Sequence, residues 1–210
     1  MPSSTLNIAV VCSSNMNRSM EAHAFLRPSK IHMELVELIH CCSKKGFRVK
    51  SYGTGDKVKL PGTAIDRPNV YDFNCTYEEI YQDLFIKDAS FYTQNGLLHM
   101  LDRNRRIKTR PERFQAAKEK FDIVVTCEER VYDQVVEFFE SRTPEDSASV
   151  HVINIDIQDN HEEATIGAFL ICELVTMMCK SEDLDNEIDE LLHNYEAKCN
   201  RALLHCVLFY

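Results

Sequence analysis

Two kinds of hydrophobic pattern alternate along this chain. Unbroken apolar runs at "LNIAVV" (6–11), "FDIVVTC" (121–127) and "SVHVINI" (149–155) have the length of buried strands, and "FRVKSYG" (47–53) reads as a strand ending in "GTG". Between them lie stretches with helical spacing: one from Arg18, then "YEEIYQDLFIKDASFY" (77–92), "GLLHMLDRNRRI" (96–107) and "EERVYDQVVEFFESR" (128–142). "PERFQAAKEK" (111–120), with proline at its start, predicts a further helix. "EEATIGAFLICELVTMM" (162–178) is strongly apolar, "EDLDNEIDELLHNYEAK" (182–198) is amphipathic and acidic, and "ALLHCVLF" (202–209) predicts a last strand. Strands alternating with helices predict a three-layer α/β fold, with a mainly parallel sheet of about five strands covered on both faces. The two helical segments between the second and third strands stand as an insertion over that sheet, and residues 1–210 are expected to form a single domain.

Composition narrows the setting. With 44% hydrophobic residues, 210 residues can bury one substantial core. A formal charge of -9 argues against general affinity for nucleic acid or acidic membranes, so an anionic ligand must be caught by a local site. No run reaches the length of a membrane span, and "MPSSTLNIAVVCSSN" lacks a basic leader and a cleavage site, which predicts a soluble intracellular protein. The nine cysteines are odd in number, contain no C-x-x-C pair and sit mostly within apolar patterns, as expected of reduced core thiols.

Cys12 is the exception. It ends the first strand, and Ser13, Ser14, Asn15, Met16 and Asn17 then run into a helix beginning at Arg18. Ligands of open α/β sheets bind outside the carboxyl ends of strands, where the N–H groups and positive dipole end of a following helix cradle anions. A thiol there loses its proton below the usual pKa of about 8.5 and becomes a nucleophile. Arg18 offers a planar fork to two phosphoryl oxygens. Asn15 suits a left-handed turn in a loop without glycine, Asn17 can brace the loop, and the Ser19 hydroxyl can stabilise the thiolate. C-x5-R spacing alone arises by chance; its place at the exit of the first strand carries the reading. No G-x-x-x-x-G-K or G-x-G-x-x-G is present.

A cysteine phosphatase also needs an acid for the departing oxygen. "NIDIQDNHEEA" (154–164) places Asp156 and Asp159 just past the fourth main strand, on the same carboxyl edge as Cys12. Asp159 could instead cap the helix that follows, and the nearby His161 could be a surface group.

"VCSSNMNRSMEAH", "SYGTGDKVKLPG", "NVYDF", "YTQNGLLHMLDRN", "RPERFQ", "FDIVVTCEERVYDQVVE" and "NIDIQDNHEEATIGAFLICEL" together resemble the eukaryotic phosphatases of the RNA polymerase II carboxy-terminal heptad repeats. The resemblance implies a low-molecular-weight tyrosine phosphatase-like fold and action chiefly on the fifth-position phosphoserine, with neither metal nor cofactor. It implies Cys12 as nucleophile, Arg18 as phosphate clamp, Ser19 as thiolate stabiliser and Asp159 as general acid assisted by Asp156. It further implies that the insertion, about 55–108, shapes a substrate groove in which Lys59, Leu60, Pro61, Tyr92 and Met100 meet a phosphoserine-proline segment in its cis form. Nuclear work with the symplekin scaffold of mRNA 3′-end cleavage and polyadenylation follows from the same resemblance. One stretch departs from the pattern: "RPSKIHMELVELIHCC" (27–42) stands as an extra segment, for which Pro28 predicts a helix break and a second short helix over 31–42.

Two rival readings remain open on the sequence. A small tyrosine phosphatase or arsenate reductase of the same fold would carry Asp-Pro in place of "DIQDN", or further redox cysteines near the active edge. A non-catalytic phosphopeptide-binding or scaffold variant would keep the fold but is at odds with the intact Cys12, Arg18, Ser19 and Asp159 set.

Overall fold

The computed structural model describes residues 5–27, 47–64 and 66–210. The elements expected over 27–42 lie, past Arg27, outside the described residues. Five strands, β1 (Leu6–Cys12), β2 (Phe47–Gly53), β5 (Ile123–Thr126), β6 (Ser149–Ile155) and β7 (Leu203–Phe209), form one sheet in the order β2-β1-β5-β6-β7. The first four are parallel and β7 closes one edge antiparallel to β6. In register, Cys12 stands beside Gly53 and Val11 beside Thr126, so the ends of β1, β2 and β5 share one edge.

Both faces are buried, as the unbroken apolar runs require. Ile8, Val10, Ile123, Val125, Ile153 and Ile155 pack under helices α1 (Arg18–Leu26), α5 (His161–Lys180) and α6 (Leu184–Cys199). On the other face Ala9, Val11, Val124, Val150 and Val152 meet α4 (Glu129–Glu140) through Val131, Val135 and Phe139. Among the described residues no helix is long and apolar enough to cross a membrane.

The insertion has its own core. A two-stranded antiparallel hairpin, β3 (Val58–Ala64) and β4 (Arg67–Tyr71), precedes helices α2 (Tyr77–Gln94) and α3 (Leu97–Ile107). Val58, Leu60, Tyr77, Ile80, Leu84, Tyr92 and Leu101 pack together there with Met16 and Met20, so this cap (residues 58–107), which follows β2 in the chain, packs directly on the loop after β1 and the start of α1. Thr76 opens α2 with a capping box: its side chain accepts from Glu79 N (3.1 Å) while Glu79 Oε2 accepts from Thr76 N (2.7 Å). The helix expected over 77–92 is broken at Asp88 (φ -165°, ψ 87°), whose carboxylate restarts it by accepting from Phe91 N.

The helix expected over 111–120 is corrected to a single 3-10 turn, Phe114–Ala116. Its backbone is committed elsewhere. Glu112 N donates to Asn15 Oδ1 and Glu112 O accepts from Gly53 N, so this stretch fastens to the active edge rather than to itself.

Candidate active site

Residues 13–17 leave β1 and turn in a tight loop into α1. Asn15 takes the left-handed conformation (φ 55°) expected of it. Its side chain donates to Ser19 Oγ (3.0 Å), which in turn lies 3.0 Å from Cys12 Sγ, so the thiol, the hydroxyl and the amide form one buried line. No side chain caps the start of α1; the Asn17 amide points instead to Asp159. The first-turn N–H groups of α1 are thereby left for a ligand anion. Gly53 permits the packing beneath, since a Cβ there would stand 2.7 Å from Ser13 O and 2.9 Å from Asn15 N.

Arg18 is 4% exposed. Its Nη1 donates to Ile157 O (2.8 Å) and Cys127 O (3.3 Å), and its Nη2 pairs with Glu128 Oε2 (2.8 Å). Nε is buried with no acceptor in hydrogen-bond reach among the described residues; Asp159 Oδ1 is 3.6 Å away. The edge of the guanidinium comprising Nε and Nη2 is the one that can present two N–H groups to a phosphoryl group. Burial works against the cation, but Asp159, Cys12, Cys127 and Glu128 more than offset it and raise its pKa. Burial, ahead of the nearby Cys12, also pushes the Cys127 thiol well above its ordinary range, which keeps it protonated beside the reactive edge.

Glu128 was not foreseen from the sequence. It lies just past the end of β5, the strand next to β1, and its other oxygen accepts from Ser13 Oγ (2.6 Å). Burial alone would raise its carboxyl pKa; Ser13 and Arg18 hold it below the usual carboxylate range. The position of Glu128 at a strand exit was the available signal.

Asp159 and Asp156 separate by location. Asp159, with a side chain 60% exposed, accepts from Asn17 Nδ2 (3.0 Å) and faces the same cavity as Cys12. The cap of α5 is Asn160, which accepts from Glu163 N, so Asp159 is free of that duty. Asp156 accepts from Glu129 N (3.1 Å) at the start of α4 and from Asn154 Nδ2 (3.0 Å). Arg201 secures the loop that carries both, donating to Asp156 O (2.8 Å) and pairing with Glu163.

A cavity of about 260 Å³ opens over Cys12. Ser14, Met16, Asn17, Lys59, Leu60, Pro61, Met100 and Asp159 line it, as do Leu97 and His161. Tyr92 does not line it: its hydroxyl accepts from Asn69 Nδ2 (2.9 Å), which also donates to Pro61 O (3.0 Å), so it supports the hairpin from behind. His161 Nε2 sits 3.1 Å from Asn95 O at the rim. Gly96 (φ 82°) lets it approach, since a Cβ there would lie 2.6 Å from the ring. A larger cavity of about 520 Å³ on the far side of Ser13 and Ser14 does not reach Cys12.

A thiol at the exit of the first parallel strand, an arginine fork at the start of the next helix and a carboxylate across the cavity define a cysteine-based phosphatase. The family model described as "Ssu72-like protein" matches residues 6–36 and 33–210, two stretches that overlap within the 27–42 segment. The chain belongs to the Ssu72-like protein family. It is 61% identical over 210 residues to SSU72 of Rattus norvegicus, an RNA polymerase II C-terminal domain phosphatase, covering 100% of both. The Caenorhabditis elegans phosphatase ssup-72 is 51% identical over 210 residues, covering 99% of this chain and 98% of the relative. A crystal structure of Drosophila melanogaster Ssu72 with symplekin, bound to a cis peptidomimetic peptide of the polymerase C-terminal domain with phosphoserine at position five, matches at 57% identity. Its TM-score is 0.87 over 98% of this chain and 99% of that one.

Proposed function

We propose that this chain is a protein serine phosphatase acting on the phosphorylated heptad repeats of the RNA polymerase II C-terminal domain, chiefly at the fifth-position serine, through a phosphocysteine on Cys12. The observation that carries the reading is Cys12 Sγ, 3.0 Å from Ser19 Oγ, opening into a cavity that Asp159 also lines. The chemistry runs in two steps. Cys12 attacks phosphorus, and the serine oxygen departs with a proton from Asp159. Water then cleaves the phosphocysteine, with Asp159 taking a proton from it. Through both steps Arg18 and the loop amides hold the equatorial oxygens, where negative charge must be stabilised. Ser19 supports the sulfur as nucleophile and as leaving group. Glu128 presents Arg18, and Asp156 orients the loop of the acid.

Specificity rests on the cavity wall. Leu60, Pro61, Leu97 and Met100 form an apolar side suited to a proline ring next to the phosphoserine, while Lys59 adds a cation at the entrance. The relative solved with symplekin and a phosphorylated peptide supports the same substrate and partner here, and hence nuclear work in mRNA 3′-end processing. The test is turnover of a heptad peptide phosphorylated on its fifth serine, beside p-nitrophenyl phosphate. Vanadate should block both activities and Cys12→Ser should abolish both. Peptide turnover that survives Cys12→Ser would overturn the reading.

A further inference from the structure

The cap does more than wall the groove. Three successive carbonyls of the phosphate loop are tied to it. Tyr77 OH donates to Asn15 O (2.7 Å). Asn104 Nδ2 donates to Met16 O (2.7 Å), and Arg103 Nη2 donates to Met16 O (3.1 Å) and, more weakly, to Asn17 O (3.4 Å). Arg103 is itself held by Asn104 Oδ1, which accepts from its Nε and Nη2, and by an ion pair with Glu21 of α1. Tyr77 and Asn104 are fully buried.

We infer that Tyr77, Arg103 and Asn104 are positioning residues that aim the phosphate-binding amides. In a planar trans peptide the carbonyl of one residue and the N–H of the next point in opposite directions. Pulling the Asn15, Met16 and Asn17 carbonyls toward the cap therefore turns the Met16, Asn17 and Arg18 N–H groups the other way, toward the ligand. This amide orientation is set before any phosphate arrives, as stabilisation by preorganised dipoles requires. Arg103 adds a cation on the outer side of the loop. Burial draws its pKa down to about 10, which still leaves it charged at neutral pH, and its charge favours an anion at Cys12. Burial, followed by the proximity of Cys12, raises the Tyr77 hydroxyl well above its usual range, so it stays a donor.

The inference rests on the phosphatase reading, and the experiment separates the two. In Asn104→Leu the donor to Met16 O is lost while the branched shape of the side chain is kept. Met16 O is then left with only the longer bond from Arg103, itself no longer held by Asn104 Oδ1, which should weaken orthovanadate inhibition and kcat/KM on p-nitrophenyl phosphate by about tenfold. Tyr77→Phe, which removes one hydroxyl, should do so about threefold. In proton–nitrogen NMR spectra, the shifts that inorganic phosphate induces at the Met16, Asn17 and Arg18 amides should shrink in both variants. A role confined to the groove would leave p-nitrophenyl phosphate and vanadate untouched, and a purely stabilising role would lower Tm without changing vanadate affinity; either overturns the inference. If Asn104→Leu fails to fold, Tyr77→Phe with unchanged vanadate affinity and unchanged amide shifts is by itself a refutation. A wild-type protein that neither binds vanadate nor turns over p-nitrophenyl phosphate would instead sink the phosphatase reading.

Discussion

The phosphate loop is held from two sides by different chemistry. On the sheet side, strand ends supply the thiol and the carboxylates, Cys12 from β1, Glu128 after β5 and Asp159 after β6, with the Arg18 guanidinium among them. On the cap side, the contacts to the loop are mostly buried neutral donors and apolar packing, Tyr77, Asn104 and the methionines 16 and 20, with Arg103 the charged member. In the proposed mechanism the sheet side carries what must change charge or bonding, and in the inference drawn above the cap side holds the backbone still. A single-site change on the sheet side should alter chemistry, and one on the cap side should alter alignment.

The sharpest way to break that division is Cys12→Ser, expected to lower turnover of every substrate by about 10⁴-fold or more while leaving the fold intact, since the site is sterically conserved. Residual peptide hydrolysis above that level would place the nucleophile elsewhere. Next is Asp159→Asn. A serine alkoxide leaves far worse than a nitrophenolate, so loss of the acid should cost about 10² to 10⁴-fold on the phosphoserine peptide and little on p-nitrophenyl phosphate. Burst kinetics must separate phosphoryl transfer from phosphocysteine hydrolysis, because the proposed mechanism uses the same carboxylate for water in the second step. Equal losses on both substrates in the first step would move the acid to Asp156 or His161.

Glu128→Gln ranks below these. It removes the charge facing Arg18 and leaves one oxygen to serve both Arg18 and Ser13. With Arg18 still anchored by the Cys127 and Ile157 carbonyls, kcat/KM should fall about tenfold on peptide and small substrate alike, as expected of slight misplacement rather than loss of a reacting group. An undiminished rate would show that the two carbonyls alone suffice to aim the fork.

How far the sequence exposed each side follows the same division. Strands β1 and β6 are central and buried on both faces, so they stand out as apolar runs, and 149–155 is recovered at both ends. Cys12, Arg18 and Ser19 fall within one short stretch at a strand exit, so position marks them, whereas position left Asp156 and Asp159 equal candidates and only the family resemblance put Asp159 first. The hairpin over 58–71 passed unread because it lies outside the main sheet. Of β3 only Val58 and Leu60 are fully buried, and Pro61 and Pro68 interrupt any strand-like run. Asn104 and Glu128 escaped for another reason. Their partners lie 88 and 115 residues away; nothing local in "LDRN" announces a bond to the loop, and in "TCEER" the strand exit marks the edge without naming the partner.

The smallest effect on turnover, and a direct probe of the seam between the two sides, concerns His23. Its Nδ1 lies 2.8 Å from Ser51 Oγ on β2, and Lys108, at the end of the cap, donates to Ser51 O (2.6 Å). Burial, then the charges of Lys108 and Arg27, lower its pKa from the ordinary 6.5 to about 4. The folded protein therefore keeps His23 neutral where the unfolded chain binds a proton. This contribution to stability is fully present above pH 6.5, is lost progressively as pH falls toward 4, and amounts to roughly 1 to 3 kcal/mol. His23→Gln can still hydrogen-bond the Ser51 hydroxyl but cannot titrate. Carboxylates titrate in the same window in both proteins, so the informative quantity is the difference between the two denaturation series. Urea unfolding at pH 7, 5.5 and 4 should show the wild type losing more stability than His23→Gln over that range, with turnover of p-nitrophenyl phosphate at pH 7 nearly unchanged. Parallel stability curves would mean that the seam opens to water before His23 takes its proton, and that cap and sheet are joined less tightly there than at the loop.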